Sequence, residues 1–130
     1  MAYKIVRNNV PELFEIHHGK PATTRDYYGP TEELWFSKLK VKEETKEFLE
    51  AKTTQDIFEE AADVLESMIS HIGLLEPDLD DQEIYEFLLE ITNKKATKLG
   101  TMSRRRLMSI SEADKQHYYN NIKGKTDGVE

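Results

Sequence analysis

The stretch VKEETKEFLEA, residues 41–51, carries four glutamates within three helical turns. Glu43 and Glu47 are four residues apart, and Glu47 lies three residues from both Glu44 and Glu50. In a helix these spacings place like charges side by side, which costs about 0.2–0.5 kcal/mol per pair. The stretch is therefore either a solvated helix face, softened by its two lysines, or a set of carboxylates that binds a cation.

The apolar residues around this stretch predict a long first helix. Leu34, Val41 and Phe48 recur at intervals of seven residues, which is the spacing of one helix face. Thr31 is a suitable N-cap, and the helix is expected to run through Ala51.

Three further helices are predicted downstream. After the break at residues 52–54, an apolar stripe of helical period marks a second helix that ends near Gly73. A third helix is expected to run to about Lys98 and to be closed by Gly100. Ser111 is a suitable cap for a short fourth helix.

The expected fold is therefore all-α, a bundle of about four helices within a single domain, residues 1–120. Its first part, residues 1–30, is punctuated by glycine and proline and is predicted to be an irregular N-terminal arm. Residues 121–130 are expected to form a flexible C-terminal tail. Helices of this number expose apolar stripes that one chain does not fully cover, so we expect a homo-oligomer to complete the bundle.

Composition excludes several classes of protein. The chain has 130 residues, of which 38% are hydrophobic and 33% charged, and no apolar run approaches the roughly 20 residues that a membrane span needs. Its net charge of −7 argues against binding to a nucleic-acid polymer, since such binding depends on neutralising phosphates. It contains no cysteine, so neither a disulfide nor a thiolate metal site can form. A cytoplasmic setting is expected.

The angular positions of the acids separate those that face the core from those that do not. With Val41 as the zero of the first helix, Glu44 falls at about −60° and Glu47 at about −120°, on one flank of the apolar stripe. Glu43 and Glu50 fall at about 200° and about 180°, away from the core.

The second helix repeats this arrangement. Glu60 and Asp63 lie on one flank, whereas Glu59 and Glu66 fall on the far side. Because the two helices are joined by only a few residues, they are expected to be antiparallel neighbours, and their carboxylate pairs can meet. Hard divalent cations such as Mg²⁺ and Mn²⁺ prefer oxygen ligands. The four carboxylates, Glu44, Glu47, Glu60 and Asp63, therefore predict a metal site.

These acids carry a resemblance to a known family. Glu43-Glu44-x-x-Glu47, a gap of twelve residues and then Glu60-x-x-Asp63 resemble the metal-binding signature of the all-α nucleoside triphosphate pyrophosphohydrolases, the MazG-like superfamily. YKIVRNNVPELFEIHHGKPATTR, residues 3–25, is similar to the amino-terminal segment KLVRDKIPEII…KP…R of the branch related to phosphoribosyl-ATP pyrophosphohydrolase. The resemblance covers roughly residues 3–101.

The third helix adds a weaker part of the resemblance. Its end, NKKATKLGT, is similar to the basic run KKREERGGF of that branch at Lys94, Lys95 and Gly100. It departs from that run at Lys98, Leu99 and Thr101, and Asn8 and Asn9 depart from an aspartate and a lysine in the amino-terminal segment. These departures concern the identity of the substrate more than the metal chemistry.

The resemblance implies a Mg²⁺-dependent enzyme, with Mn²⁺ as an alternative ion, that cleaves a nucleoside triphosphate between its α- and β-phosphates. Glu44, Glu47, Glu60 and Asp63 would hold the metal, and one of them would instead position the attacking water. The resemblance also implies a dimer or tetramer. The rival hypotheses are a noncatalytic member that binds a nucleotide or a partner protein, and a helical interaction module whose acidic face binds nothing.

The candidate substrate contacts are basic or amide side chains outside the acidic helices. Lys94 and Lys98 lie one turn apart on the third helix and are candidate phosphate contacts. Asn93 is a candidate contact for the base or sugar. Lys4 and Arg7 in the arm are further candidates for the phosphates.

Overall fold

The computed structural model describes residues 3–123, and every regular element among them is helical. The five α-helices and one terminal π-helix are α1 (Val10–His18), α2 (Pro30–Glu50), α3 (Thr54–Leu75), α4 (Asp81–Leu99), α5 (Glu112–Tyr118) and the π-helix Tyr119–Lys123. The prediction of an all-α fold is confirmed. None of the described helices is both long and apolar enough to cross a membrane. The chain divides into two compact units, Met1–Asp81 and Gln82–Glu130.

In the first unit, α2 and α3 form an antiparallel hairpin. Residues 51–53 connect them, and the Thr53 side chain caps α3 by accepting a hydrogen bond from the Asp56 backbone N–H at 3.1 Å. Near the open end of the hairpin, Ser37 Oγ and His71 Nδ1 are 2.9 Å apart. At the closed end, carboxylate oxygens of Glu47 and Glu60 approach within 4.8 Å. Residues late in α2 thus lie beside residues early in α3.

The interface of this hairpin is unusually polar. Its buried residues are Ser37 and Glu44 on α2 and Ser67 on α3. Several large apolar side chains on the same helices remain exposed, among them Leu49 and Phe58. A buried carboxylate between two helices needs a compensating partner, so Glu44 is a candidate functional residue.

The N-terminal arm contains a helix that the sequence analysis did not predict. Helix α1 has Pro11 and Glu12 in its first turn, where proline and acidic residues are favoured. It ends at Gly19, which has the left-handed φ of 68° and donates its backbone N–H to Glu15 O at 2.9 Å. Gly19, one of the residues that suggested irregular structure, is in fact the residue that ends this helix.

Helix α2 starts two residues earlier than expected. Pro30 occupies its first position, where the fixed φ of proline suits a helix and its missing N–H is not needed. Gly29, rather than Thr31, is therefore the N-cap residue.

The second unit contains α4 and α5 with the terminal π-helix. Among the described residues, the buried large apolar side chain is that of Ile84 on α4. Gly100, with φ of 82°, ends this helix as expected. Ser111 caps α5 by accepting from the Asp114 backbone N–H, as predicted. The helical structure continues to Lys123, which covers the first residues of the predicted tail. Residues 124–130 of that tail lie outside the described residues.

Candidate metal centre

Three of the four predicted metal ligands come together in the α2–α3 hairpin. Glu44 and Glu47 lie one turn apart on α2, and Glu60 lies in the second turn of α3. One carboxylate oxygen from each of the three lies within 4.8 Å of the other two. We refer to Glu44, Glu47 and Glu60 as the carboxylate cluster.

Two oxygens of the cluster are buried and unpaired. Glu44 is only 6% exposed, and its Oε1 accepts a hydrogen bond from Lys40 Nζ at 2.7 Å. Glu44 Oε2 and Glu60 Oε2 are both buried, and no group in the described part of the chain donates a hydrogen bond to either. Since buried polar atoms nearly always have a partner, two such oxygens in one cluster fit a ligand that the protein itself does not supply. A hard divalent cation is such a ligand.

The electrostatics of Glu47 agree with this interpretation. Although Glu47 is an exposed residue, local desolvation of its carboxyl raises the pKa of this group, and the negative charges of Glu44 and Glu60 raise it further. Ionised Glu47 is therefore held at an energetic cost, because its neighbours repel it. A divalent cation among the three carboxylates would remove that cost.

Asp63, the fourth predicted ligand, has a different partner. Its Oδ1 accepts a hydrogen bond from Arg7 Nη2 at 2.5 Å, and Arg7 also forms an ion pair with Glu66. These contacts raise the pKa of Arg7, with the hydrogen bond to Asp63 as the largest cause. Asp63 is therefore beside the carboxylate cluster but is not one of its members, and Glu66, predicted to lie on the far side of α3, is reached by the arm.

Glu43 also contacts the arm. Lys4 Nζ donates to Glu43 Oε1 at 2.9 Å, and Lys40 Nζ lies 3.8 Å from Glu43 Oε2. The hydrogen bond to Glu43 is the main reason that the pKa of Lys4 is raised. The arm thus places one cation against α2, through Lys4, and one against α3, through Arg7.

A cleft of about 620 Å³ opens beside the cluster. The segment preceding α1 and the start of α1 form one wall, which includes the apolar side chains Ile5, Val6, Val10 and Leu13, and facing side chains of α2 and α3 form the others. Its charged lining consists of Lys40, Glu44, Asp63, Glu66 and Arg7, and its neutral polar lining includes Ser37, Ser67, Ser70, Asn8 and Asn9. The cleft therefore offers carboxylates, two cations and small neutral polar groups in one place.

The sequence analysis missed Lys40. A usable signal was present, because Lys40 precedes Glu44 by four residues and, on the angular scale used for α2, falls at about −100°, on the flank of Glu44.

The remaining predicted substrate contacts lie in the second unit. Asn93, Lys94 and Lys98 are all on α4. Lys94 Nζ forms an ion pair with Glu90 Oε1 at 3.1 Å, one turn away, and the Asn93 carbonyl accepts from the Thr97 hydroxyl at 3.0 Å. Their role in substrate binding stays a prediction.

A scan against protein-family models, a search of curated proteins and a search of solved structures each give no match. The resemblance to the pyrophosphohydrolases therefore continues to depend on the motifs quoted above.

Proposed function

We propose that this protein is a Mg²⁺-dependent nucleotide pyrophosphohydrolase that cleaves a nucleoside or deoxynucleoside triphosphate to the monophosphate and pyrophosphate. The observation that carries the proposal is the carboxylate cluster, with two buried, unpaired oxygens, at the edge of a 620 Å³ cleft. The motif resemblance supports the same reaction.

The residues present fit a divalent cation. Glu44, Glu47 and Glu60 would hold Mg²⁺ or Mn²⁺, which, when bound, supplies neutralisation of phosphate oxygens and a lower pKa for a coordinated water. Glu44 is held in place by its burial between α2 and α3 and by Lys40. The protein supplies a fixed set of oxygens at the point where negative charge must be stabilised.

Asp63 is suited to a second role. It lies one turn beyond Glu60 on the same flank of α3 and lines the cleft, while Arg7 fixes its carboxylate. A carboxylate in this place can accept a hydrogen bond from the attacking water and orient it toward the α-phosphorus. Arg7, with Lys4 nearby on Glu43, provides positive charge for the polyphosphate.

The proposal has three further parts. Lys94, Lys98 and Asn93 remain candidate contacts for the substrate. The protein acts in the cytoplasm as a homo-oligomer, either a dimer or a tetramer. Exposed large side chains on α2 and α3, such as Trp35 and Phe58, support the oligomer, because association would remove them from water.

The test is pyrophosphate release over a panel of standard, deoxy and damaged nucleoside triphosphates, with and without Mg²⁺. Hydrolysis of at least one nucleotide that requires Mg²⁺ and yields equal amounts of monophosphate and pyrophosphate is the expected result. Binding of a nucleotide without turnover would favour the noncatalytic alternative. If the protein neither binds nor hydrolyses any nucleotide of the panel, both hypotheses are excluded.

A further inference from the structure

Lys40 is the cation closest to the carboxylate cluster. Its ammonium group lies 2.7 Å from Glu44 Oε1 across one helical turn, and its side chain is 21% exposed. It also lines the cleft. Its position combines a close contact with a proposed metal ligand and access to the space in which a substrate would lie.

The contact between Lys40 and Glu44 becomes unfavourable when a cation binds to the cluster. In the metal-free protein the positive charge of Lys40 balances the buried Glu44 carboxylate. A divalent cation held by Glu44 would face the ammonium group at short range, and the two positive charges would repel each other. Lys40 then gains by turning to a new anionic partner, and four rotatable bonds allow it to do so.

The phosphates of a nucleotide supply such a partner. Arg7, the other cation of the cleft, is engaged by two carboxylates, Asp63 and Glu66, at close range. Lys40 has one close contact, with Glu44, and a longer one of 3.8 Å to Glu43, a carboxylate that Lys4 already holds. We propose that Lys40 is a substrate-binding residue that exchanges Glu44 for a phosphate oxygen when the metal and the polyphosphate bind together. The inference rests on the proposed function and adds to it a residue that is not part of the motif.

The first measurement is Mn²⁺ binding by titration calorimetry at pH 8 without nucleotide. Lys40→Met removes the competing charge, and we expect the dissociation constant for Mn²⁺ to fall about fivefold. Lys42→Met is the matched control, since it makes the same change two residues away on an exposed position of α2, and its affinity should stay within about twofold of the parent. Weaker binding of Mn²⁺ by Lys40→Met alone would mean that Lys40 only holds Glu44 in place, and would overturn the exchange.

The second measurement is binding of inorganic pyrophosphate at a fixed concentration of free Mn²⁺. Lys40→Met should bind pyrophosphate at least about tenfold more weakly than the parent, Lys40→Arg should recover most of the loss, and Lys42→Met should show none. The opposite signs of the two effects of Lys40→Met, tighter metal and weaker pyrophosphate, are specific to an exchange of partners.

The failures of the two proposals can be told apart. If the parent hydrolyses no triphosphate, the proposed function fails, while the pyrophosphate titration still decides whether Lys40 meets a phosphate. If Lys40→Met and Lys42→Met bind pyrophosphate alike, or if the parent binds none, the role of Lys40 is overturned whatever the enzyme assay shows.

Discussion

Glu60→Gln should make the metal-free protein more stable and at the same time remove most of its stabilisation by metal. The substitution keeps the shape of the side chain and removes one negative charge from the carboxylate cluster. One oxygen of Glu60 lies within 4.8 Å of an oxygen of Glu44 and of Glu47, and its Oε2 is buried without a donor among the described residues. A glutamine amide at this position can donate a hydrogen bond to a neighbouring carboxylate instead of repelling it.

The magnitude follows from Coulomb's law with allowance for solvent. Two unit charges 4.8 Å apart repel by about 3 kcal/mol at an effective dielectric constant of 20. Exposure of Glu47 and protonation within the cluster reduce this, so we expect a net gain of about 1 kcal/mol in the free energy of unfolding. For a chain of this size that raises Tm by about 3–5 °C.

The response to metal should change in the opposite direction. A cation at about 100 times its Kd stabilises the folded parent by about 2.7 kcal/mol, which is a rise in Tm of about 10 °C. Loss of one ligand charge from the cluster should remove most of that rise. The assay is thermal unfolding of parent and variant, followed by circular dichroism, without metal and with increasing Mg²⁺ or Mn²⁺.

Glu59→Gln is the matched control for this experiment. Glu59 is the exposed neighbour of Glu60 on α3, where its Oε1 accepts a hydrogen bond from the Gln55 side chain at 2.7 Å. It should change Tm little and leave the response to metal intact. A Glu60→Gln variant that melts at a lower temperature than the parent without metal, yet keeps the full rise with Mg²⁺, would refute the assignment of the cluster as a metal centre.

Two further predictions concern the glutamates of α2. Glu44→Gln should lower turnover by at least about 100-fold with helix content unchanged in circular dichroism, since it removes a ligand charge, whereas Glu43→Gln should change turnover only a few fold; equal, small losses in a steady-state assay would favour an ordinary acidic surface. Because the folded-state pKa of Glu47 is raised, ionising this group destabilises the fold as pH rises through that pKa. Metal-free Glu47→Gln should therefore melt above the parent at pH 8, and the difference should disappear near pH 4, where the parent carboxyl is protonated; a difference independent of pH would contradict the repulsion within the cluster.

The helices were predictable where one local signal sets a boundary. Ser111 and Gly100 do so for α5 and α4, because a cap or a left-handed residue acts within one turn of the chain. Helix α1 was missed for the same kind of reason, since Gly19, which ends it, looks like a breaker when its position relative to a short helix is unknown. Periodicity could not find it, because α1 has no buried residue among its nine.

In the candidate site, too, the features that depend on local structure were predictable and those that depend on long-range contacts were not. Helical phase distinguished Glu44, which is buried, from Glu43, which is half-buried, because burial in a helix hairpin depends on the angle around α2. The same count placed Glu47 on the inner flank, whereas the structure leaves Glu47 exposed. Phase could not foresee that Arg7 engages Asp63, since that contact depends on the path of an arm 56 residues earlier in the chain. The surroundings of Asp63, the fourth predicted ligand, thus depend on a long-range ion pair, whereas the positions of Glu44, Glu47 and Glu60 depend on the α2–α3 hairpin. The contact with Arg7 uses Oδ1 of Asp63, so this carboxylate can orient a water while Arg7 stays in place, just as Glu44 can offer its Oε2 to a metal while Lys40 holds its Oε1.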